Sequence, residues 1–330
     1  MSDKLVYWMR TISTLADLSK RRYPTCMSHY ASPNRRHFLK SAAAGLAVSP
    51  FAAAVPALAE EESRFEFCTF TKPLQSLSYD DTAEAIAELG FNGIEGPVRP
   101  KGHVLPERVE EDLPKMVEAL KKQNLNLTIL TSGINEVSEE QHTEKVLRTA
   151  AELGVKRFRM NYYRYDLTKP LDPQLKEFDA KLKDLIALTD ELGIKPVYQN
   201  HSGDRYFGAP IWDMAGLFSS YTPDQIGVAF DIGHATVEGA KAWPLNFARI
   251  RPYIDTIYVK EPAWKDNELS WGPLGEGAVD QKFFKMLKES DFNGPISLHI
   301  EYLGHDDPKI IPAVLKATRE NFATLKELLS

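Results

Sequence analysis

Only two cysteines, Cys26 and Cys68, occur in 330 residues, so no disulfide framework is available and stability has to come from a packed core. Neither a Gly-x-Gly-x-x-Gly turn nor a Walker-type phosphate loop is present, which leaves nucleotide chemistry without support. No apolar run reaches the ~20 residues that a membrane-spanning helix needs; the Ala-rich stretch 41–59 is broken by Ser49-Pro50 and Pro56. A surplus of positive charge is also missing. The formal net charge is −6, which disfavours a polyanion such as nucleic acid as partner.

What is present at the N-terminus reads as an address. Asn34-Arg35-Arg36-His37-Phe38-Leu39-Lys40 precedes an apolar, Ala-rich run that closes on Ala57-Leu58-Ala59. A basic region, a mildly apolar region and a small-x-small site form the order of an export signal, here resembling the twin-arginine type. The expected division is a signal segment at 1–59, with Met27 as a start that would give it ordinary length, and a single domain at 60–330. Export to the periplasm or its equivalent follows from that reading. Without 1–59 the remaining chain is more acidic, at −12, because the first 59 residues hold eight Lys or Arg and two Asp or Glu.

One phrase recurs in that domain: Glu88-Leu89-Gly90, Glu152-Leu153-Gly154 and Glu191-Leu192-Gly193, each followed by a short apolar run. Glycine after an amphipathic helix takes the left-handed cap position, so each phrase marks a helix stop and the start of a strand. Strands are expected at 65–71, 92–95, 127–130, 157–161, 195–199, 226–231, 255–260 and 296–301. Between them lie helical stretches: Leu175, Phe178, Leu182, Leu185, Ile186 and Leu192 form one stripe, and Ser138 with Gln141 has the form of a capping box. Eight alternating units in ~270 residues predict a closed (β/α)8 TIM barrel, a single α/β domain.

In such a barrel chemistry sits where strands end, and the polar residues fall there. Strand two ends at Glu95, with Arg99 and His103 in its loop. Strand five ends in Gln199-Asn200-His201, strand six at Asp231 with His234 beyond it. Strand seven runs into Lys260-Glu261, and strand eight reads His299-Ile300-Glu301. Asp231 and His234 have a plain alternative as helix-capping residues, Lys260 as a salt-bridge partner at the core rim. Glu301 needs a cation or donors to stay ionised if buried. Tyr206, Phe207, Trp212, Trp264 and Trp271 are packing candidates, some of them able to form a sugar-stacking wall.

Asn200-His201-Ser202-Gly203, Asp231-Ile232-Gly233-His234, Tyr258-Val259-Lys260-Glu261 and His299-Ile300-Glu301, in this order on strands five to eight, resemble the sugar phosphate isomerase/epimerase family, the xylose isomerase-like TIM barrels. The resemblance implies one divalent metal, manganese, magnesium or zinc, held by residues of strands five to eight. Asp231 and Glu301 match that set. Gln199 stands in a glutamate slot and Tyr258 in a histidine slot, so the implied ligands are Asp231, Glu301 and Gln199 with a histidine's help.

The resulting expectation is a carbohydrate isomerase or epimerase acting on a small sugar or keto-sugar by metal-assisted proton abstraction beside a carbonyl. Glu301, Lys260 and His201 are its candidate catalytic groups; His234, Glu95, Arg99, His103 and Trp264 are candidates for holding substrate. The alternatives are a keto-sugar lyase or dehydratase on the same barrel, or a catalytically silent sugar-binding barrel. An endonuclease ranks last, because the acidic balance opposes a nucleic-acid groove.

Overall fold

The computed structural model describes residues 64–305 and 307–330. The twin-arginine segment therefore lies outside the described residues. The described chain alternates strand and helix: β1 (Phe67–Phe70), α1 (Tyr79–Leu89), β2 (Gly93–Val98), α2 (Val109–Lys122), β3 (Asn126–Ser132), α3 (Thr143–Glu152), β4 (Arg157–Arg159), α4 (Leu171–Leu192) and β5 (Lys195–Gln199). It continues with α5 (Ile211–Phe218), β6 (Gly227–Asp231), α6 (Ile232–Gly239), α7 (Trp243–Ile250), β7 (Ile254–Val259), β8 (Glu261–Lys265), β9 (Glu268–Gly272), α8 (Lys282–Glu289), β10 (Ile296–Leu298) and α9 (Ile311–Leu329). Eight of these strands close a parallel barrel in the order β1-β10-β7-β6-β5-β4-β3-β2.

The helix stops behave as the repeated phrase requires. Gly90 and Gly193 cap α1 and α4 with φ of 83° and 68°, and Gly154 has φ of 86°, a region costly for residues with a Cβ. Phe178, Leu182, Leu185 and Ile186 of α4 are buried as one stripe. Each such side chain contributes about 1.5–3 kcal/mol on leaving water, so a charged residue at Leu182 would break the docking of this helix.

Two apolar layers result. The larger lies between sheet and helices. A small one fills the barrel itself: Cys68, Ile129, Val197, Ala229 and Tyr258, all essentially unexposed. Tyr258 is thus barrel filling, paired in register with both Asp231 and Ser297.

Three details depart from the sequence expectation. Strands β4 and β10 stop at Arg159 and Leu298; Met160 and His299 still donate their backbone N–H to Val197 O and Val259 O, and the chain departs from the sheet only after them. The Ser138–Gln141 pair does not open α3, which begins at Thr143 after His142 with φ of 52°; Gln141 Oε1 instead accepts from Asn135 N at 2.9 Å. The pattern also hid a hairpin, β8 with β9, joined by Asp266 and Asn267 with φ of 51° and 67°. Two consecutive left-handed residues are what a tight primed turn needs, and Asp-Asn supplies them.

Candidate active site at the barrel mouth

Strand β6 is apolar and buried until Asp231, where the chain turns directly into α6. That carboxylate has two tasks. Its Oδ1 accepts the backbone N–H of His234 at 3.0 Å and so caps α6. Its Oδ2 accepts from Gln199 Nε2 at 2.7 Å and lies 3.2 Å from Lys260 Nζ. Asn200 fixes the Asp231 backbone on both sides, accepting from its N–H at 2.8 Å and donating to its carbonyl at 3.0 Å. Gly233 makes room for the lysine, because a Cβ there would lie 2.7 Å from Lys260 O and 2.8 Å from Lys260 Cγ.

A second node surrounds Glu95. The β2–β3 register shifts between Ile94 and Glu95, the kind of irregularity that re-aims a side chain. Thr131 Oγ1 donates to Glu95 Oε1 at 2.5 Å, Ser297 Oγ to Oε2 at 2.8 Å, and His299 Nε2 lies 2.8 Å from Oε2. Arg159 Nε is 3.5 Å from Oε1. Burial pushes this carboxyl up, but His299 and Arg159 outweigh it and hold the pKa at about 2. Burial lowers His299 and the charge of Glu95 more than restores it, so the imidazole is raised above its ordinary value. Its Nδ1 lies 3.9 Å from Glu301 Oε1. Burial raises Glu301 as well, yet the His299 contact and the Lys260 charge hold it well below the usual carboxylate range.

Arg159 links the nodes: its Nη1 donates to Gln199 Oε1 and to Tyr162 Oη, and Tyr162 Oη donates to Gln199 Oε1 at 2.5 Å. These donors at one end of the amide and the Asp231 carboxylate at the other dictate how Gln199 is oriented, oxygen toward Arg159 and nitrogen toward Asp231. The neighbouring histidines differ from His299. His201 and His234 have ring centroids 3.8 Å apart. Burial and then the Lys260 charge lower His201 to about 4, and the same causes lower His234 well below its ordinary value. Both are neutral at pH 7. His201 Nδ1 is 2.8 Å from Ser202 O, Ser202 Oγ is 2.8 Å from His234 Nδ1, and buried His234 Nε2 has no hydrogen-bond partner. Trp271 on β9 closes this side, its ring 4.8 Å from Lys260 Nζ and 5.2 Å from the His234 ring.

Of the residues singled out in the sequence, Asp231, Gln199, Lys260, His201, His234, Glu95, Glu301 and Arg99 gather here. Arg99 lies over the Phe70 ring at 5.7 Å; burial first and then Arg159 lower its pKa. Glu95 has no exposure and both oxygens are engaged, so it anchors the cluster from within and is not free to hold substrate. His103 is pinned elsewhere, with Nε2 2.9 Å from Leu77 O and its ring 4.9 Å from Tyr79. Trp264 is 47% exposed on the outer part of the hairpin; the indole at the mouth is Trp271. His299, named at the end of strand eight, joins Glu301 here, and Arg159, Tyr162 and Ser202 complete the site without having been chosen from sequence. Arg-Phe-Arg within a barrel strand was a usable signal for Arg159, since a strand puts its alternate residues on one face.

The implied ligands do not form a metal cage. Among the described residues, no three His, Cys, Asp or Glu side chains converge to hold an ion. Gln199 has committed its oxygen to Arg159 and Tyr162 and turns its nitrogen, a donor, toward Asp231. Asp231 spends one oxygen on α6 and the other on Gln199 and Lys260. A dication about 4 Å from the Lys260 ammonium would be opposed by roughly 8 kcal/mol at an effective dielectric of 20. Tyr258, the remaining slot, is packed inside the barrel. As the side chains stand, Asp231 and Gln199 are engaged in a network of hydrogen bonds and cations, an arrangement that does not fit a dication held by Asp231, Glu301 and Gln199.

Residues 83–327 match the family model described as xylose isomerase-like TIM barrel, and the chain belongs to that family. Among solved structures it is similar to 3-keto-D-glucoside 4-epimerase YcjR from E. coli, at 17% identity and a TM-score of 0.59 over 80% of this chain and 99% of that one. It is similar to D-psicose 3-epimerase from Clostridium cellulolyticum H10, at 11% identity and a TM-score of 0.62 over 81% and 100%. The probable 3-DHS dehydratase AsbF from Bacillus anthracis gives 15% identity and a TM-score of 0.62 over 81% and 99%. Likeness at these identities establishes the fold. No curated protein matches the chain by sequence. Among the described residues, no helix is long and apolar enough to cross a membrane.

Proposed function

We propose that this chain is a carbohydrate isomerase or epimerase that transfers a proton at the carbon beside the carbonyl of a small sugar or keto-sugar. One observation carries the reading: a neutral imidazole, a carboxylate and two buried cations converge at the barrel mouth. His201 donates from Nδ1 to the Ser202 carbonyl, which fixes its tautomer and leaves Nε2 as a lone pair able to take a proton. Glu301, with 26% side-chain exposure, is the second candidate; His299 and Lys260 hold it ionised, so it accepts and returns a proton once substrate draws those contacts away from it. His234 Nε2, 3.8 Å from Asp231 Oδ2 and without a hydrogen-bond partner, is the ring atom left for a substrate oxygen, with Trp271 beside that ring.

The test is solvent-deuterium incorporation, followed by NMR, over a panel of aldo- and keto-sugars. Exchange of the proton beside the carbonyl, reduced in His201→Gln and Glu301→Gln, is the expected result. Loss of a hydroxyl to give an unsaturated product would reassign the chain as a dehydratase, and binding with no exchange as a sugar-binding barrel. We further propose export through the twin-arginine route, on Arg35-Arg36 with Phe38-Leu39-Lys40 ahead of the Ala-rich run. Replacing both arginines by lysine should hold precursor in the cytoplasm; unchanged export would sink the idea.

A further inference from the structure

We propose that Lys260 and Arg159 take the place of the divalent ion that the family resemblance implies, so that the site binds no metal and its positive charge comes from the chain itself. The inference rests on the proton-transfer reading for its chemistry, but its placement stands on contacts alone. Lys260 and Arg159 are each only 5% exposed, and although Lys260 Nζ meets Asp231 at 3.2 Å and Arg159 Nε lies 3.5 Å from Glu95, burying two paired cations at a barrel mouth is costly and is seldom kept for stability alone. They bracket one short chain of partners, in which Arg159 Nη1 donates to Gln199 Oε1, Gln199 Nε2 donates to Asp231 Oδ2, and Lys260 Nζ meets the same oxygen at 3.2 Å. Each substitution in this chain fits its neighbours. Glutamine in place of a glutamate removes a negative charge that no metal would balance. Glycine at 233 clears the path of Lys260, and the Trp271 face covers the ammonium.

In the reaction, the base takes the proton beside the carbonyl, and the electron pair of that C–H bond forms the new C–C double bond. The carbonyl π pair moves onto oxygen, where Lys260 and Arg159 N–H groups stabilise the anion. Return of a proton to carbon reverses these shifts, and no oxidant or reductant is needed.

Manganese binding tests the proposal without any substrate. The full chain, stripped with a chelator and dialysed, is titrated with MnCl2 by calorimetry and then analysed for bound metal. The wild type should take up no stoichiometric manganese, and Lys260→Gln should bind it more tightly, by about tenfold or more, once the opposing ammonium is removed. Gln199→Glu with Tyr258→His and Lys260→Gln should bind one ion per chain. Lys260→Arg keeps the charge and should behave as wild type, which separates loss of charge from loss of folding. Uptake of one manganese per wild-type chain at micromolar concentration would overturn the proposal, as would a Lys260→Gln variant that is folded and no better at binding. Failure of every sugar to exchange deuterium counts against the proposed function and does not touch this readout.

Discussion

At the N-terminal end of the barrel, Arg157 of β4 and Lys195 of β5 both bind Asp255 of β7, with Arg157 Nε 2.8 Å from Oδ1 and Lys195 Nζ 3.0 Å from Oδ2. At the other end of the same strands, Arg159 and Gln199 face Asp231 and Lys260. The lower cluster reaches water, with side-chain exposures of 21% for Arg157 and 26% for Lys195, and joins two bases to one acid directly. The upper cluster is dehydrated and mixes direct pairs with an amide relay: Lys260 Nζ meets Asp231 at 3.2 Å, Arg159 Nε lies 3.5 Å from Glu95, and Gln199 joins Arg159 to Asp231, with two neutral histidines alongside. Wet charges in direct pairs fasten strands together. Dry charges cost stability even when they are paired, and are retained where charge has to be offered to something else.

The difference is open to mutation, and the largest effect is expected from Asp231→Ala. It leaves Lys260 buried without its counterion, a loss of about 3–5 kcal/mol, and removes the α6 cap, worth about 1 kcal/mol more; urea unfolding measures both together. Next, Lys260→Gln should slow deuterium exchange by about 10²–10³-fold, the effect of losing one donor to developing negative charge. Arg157→Gln at the opposite end should leave the exchange rate unchanged. Asp255→Asn should cost about 1–2 kcal/mol in urea unfolding with no change in exchange, since it belongs to the fastening end.

The smallest effect is on the acid dependence of stability. His201 has an ordinary pKa of 6.5 when unfolded and about 4 when folded, so between these values the unfolded chain binds more protons. Stability supplied by the neutral ring is present above pH 6.5 and is lost as pH falls toward 4. His201→Gln should therefore flatten the loss of stability over this window in unfolding curves recorded at several pH values. An unchanged slope would mean that the ring is not held neutral.

Much of this contrast was legible in the sequence. Helix stops at Gly90, Gly154 and Gly193 fixed the rhythm, and the strand-end rule brought Asp231, Lys260, His201, His234 and Glu301 to one mouth. Two kinds of information were not readable. Whether a charged strand residue serves the top or the bottom depends on register: Arg157 and Arg159 differ by two positions and sit in different clusters. Whether Asp231 is a helix cap or a site residue is also undecidable from type and place, and in the fold it caps α6 with one oxygen while the other meets Gln199 and Lys260. His103 and Trp264 show the converse. Their positions after strands were right for a mouth, but loop packing against Tyr79 and the β8–β9 hairpin sent them elsewhere, while the same hairpin delivered Trp271.

On the reading proposed above, the cations of the upper cluster do the electrostatic work of a proton-transfer site. Solvent-deuterium exchange into a responsive keto-sugar, measured with chelator present throughout for wild type and Lys260→Gln, tests it most directly. Exchange should be undiminished for the wild type in chelator and slower by about 10²-fold or more for the variant. Wild-type exchange that vanishes in chelator and returns with added manganese, or a folded Lys260→Gln that exchanges at the wild-type rate, would contradict it.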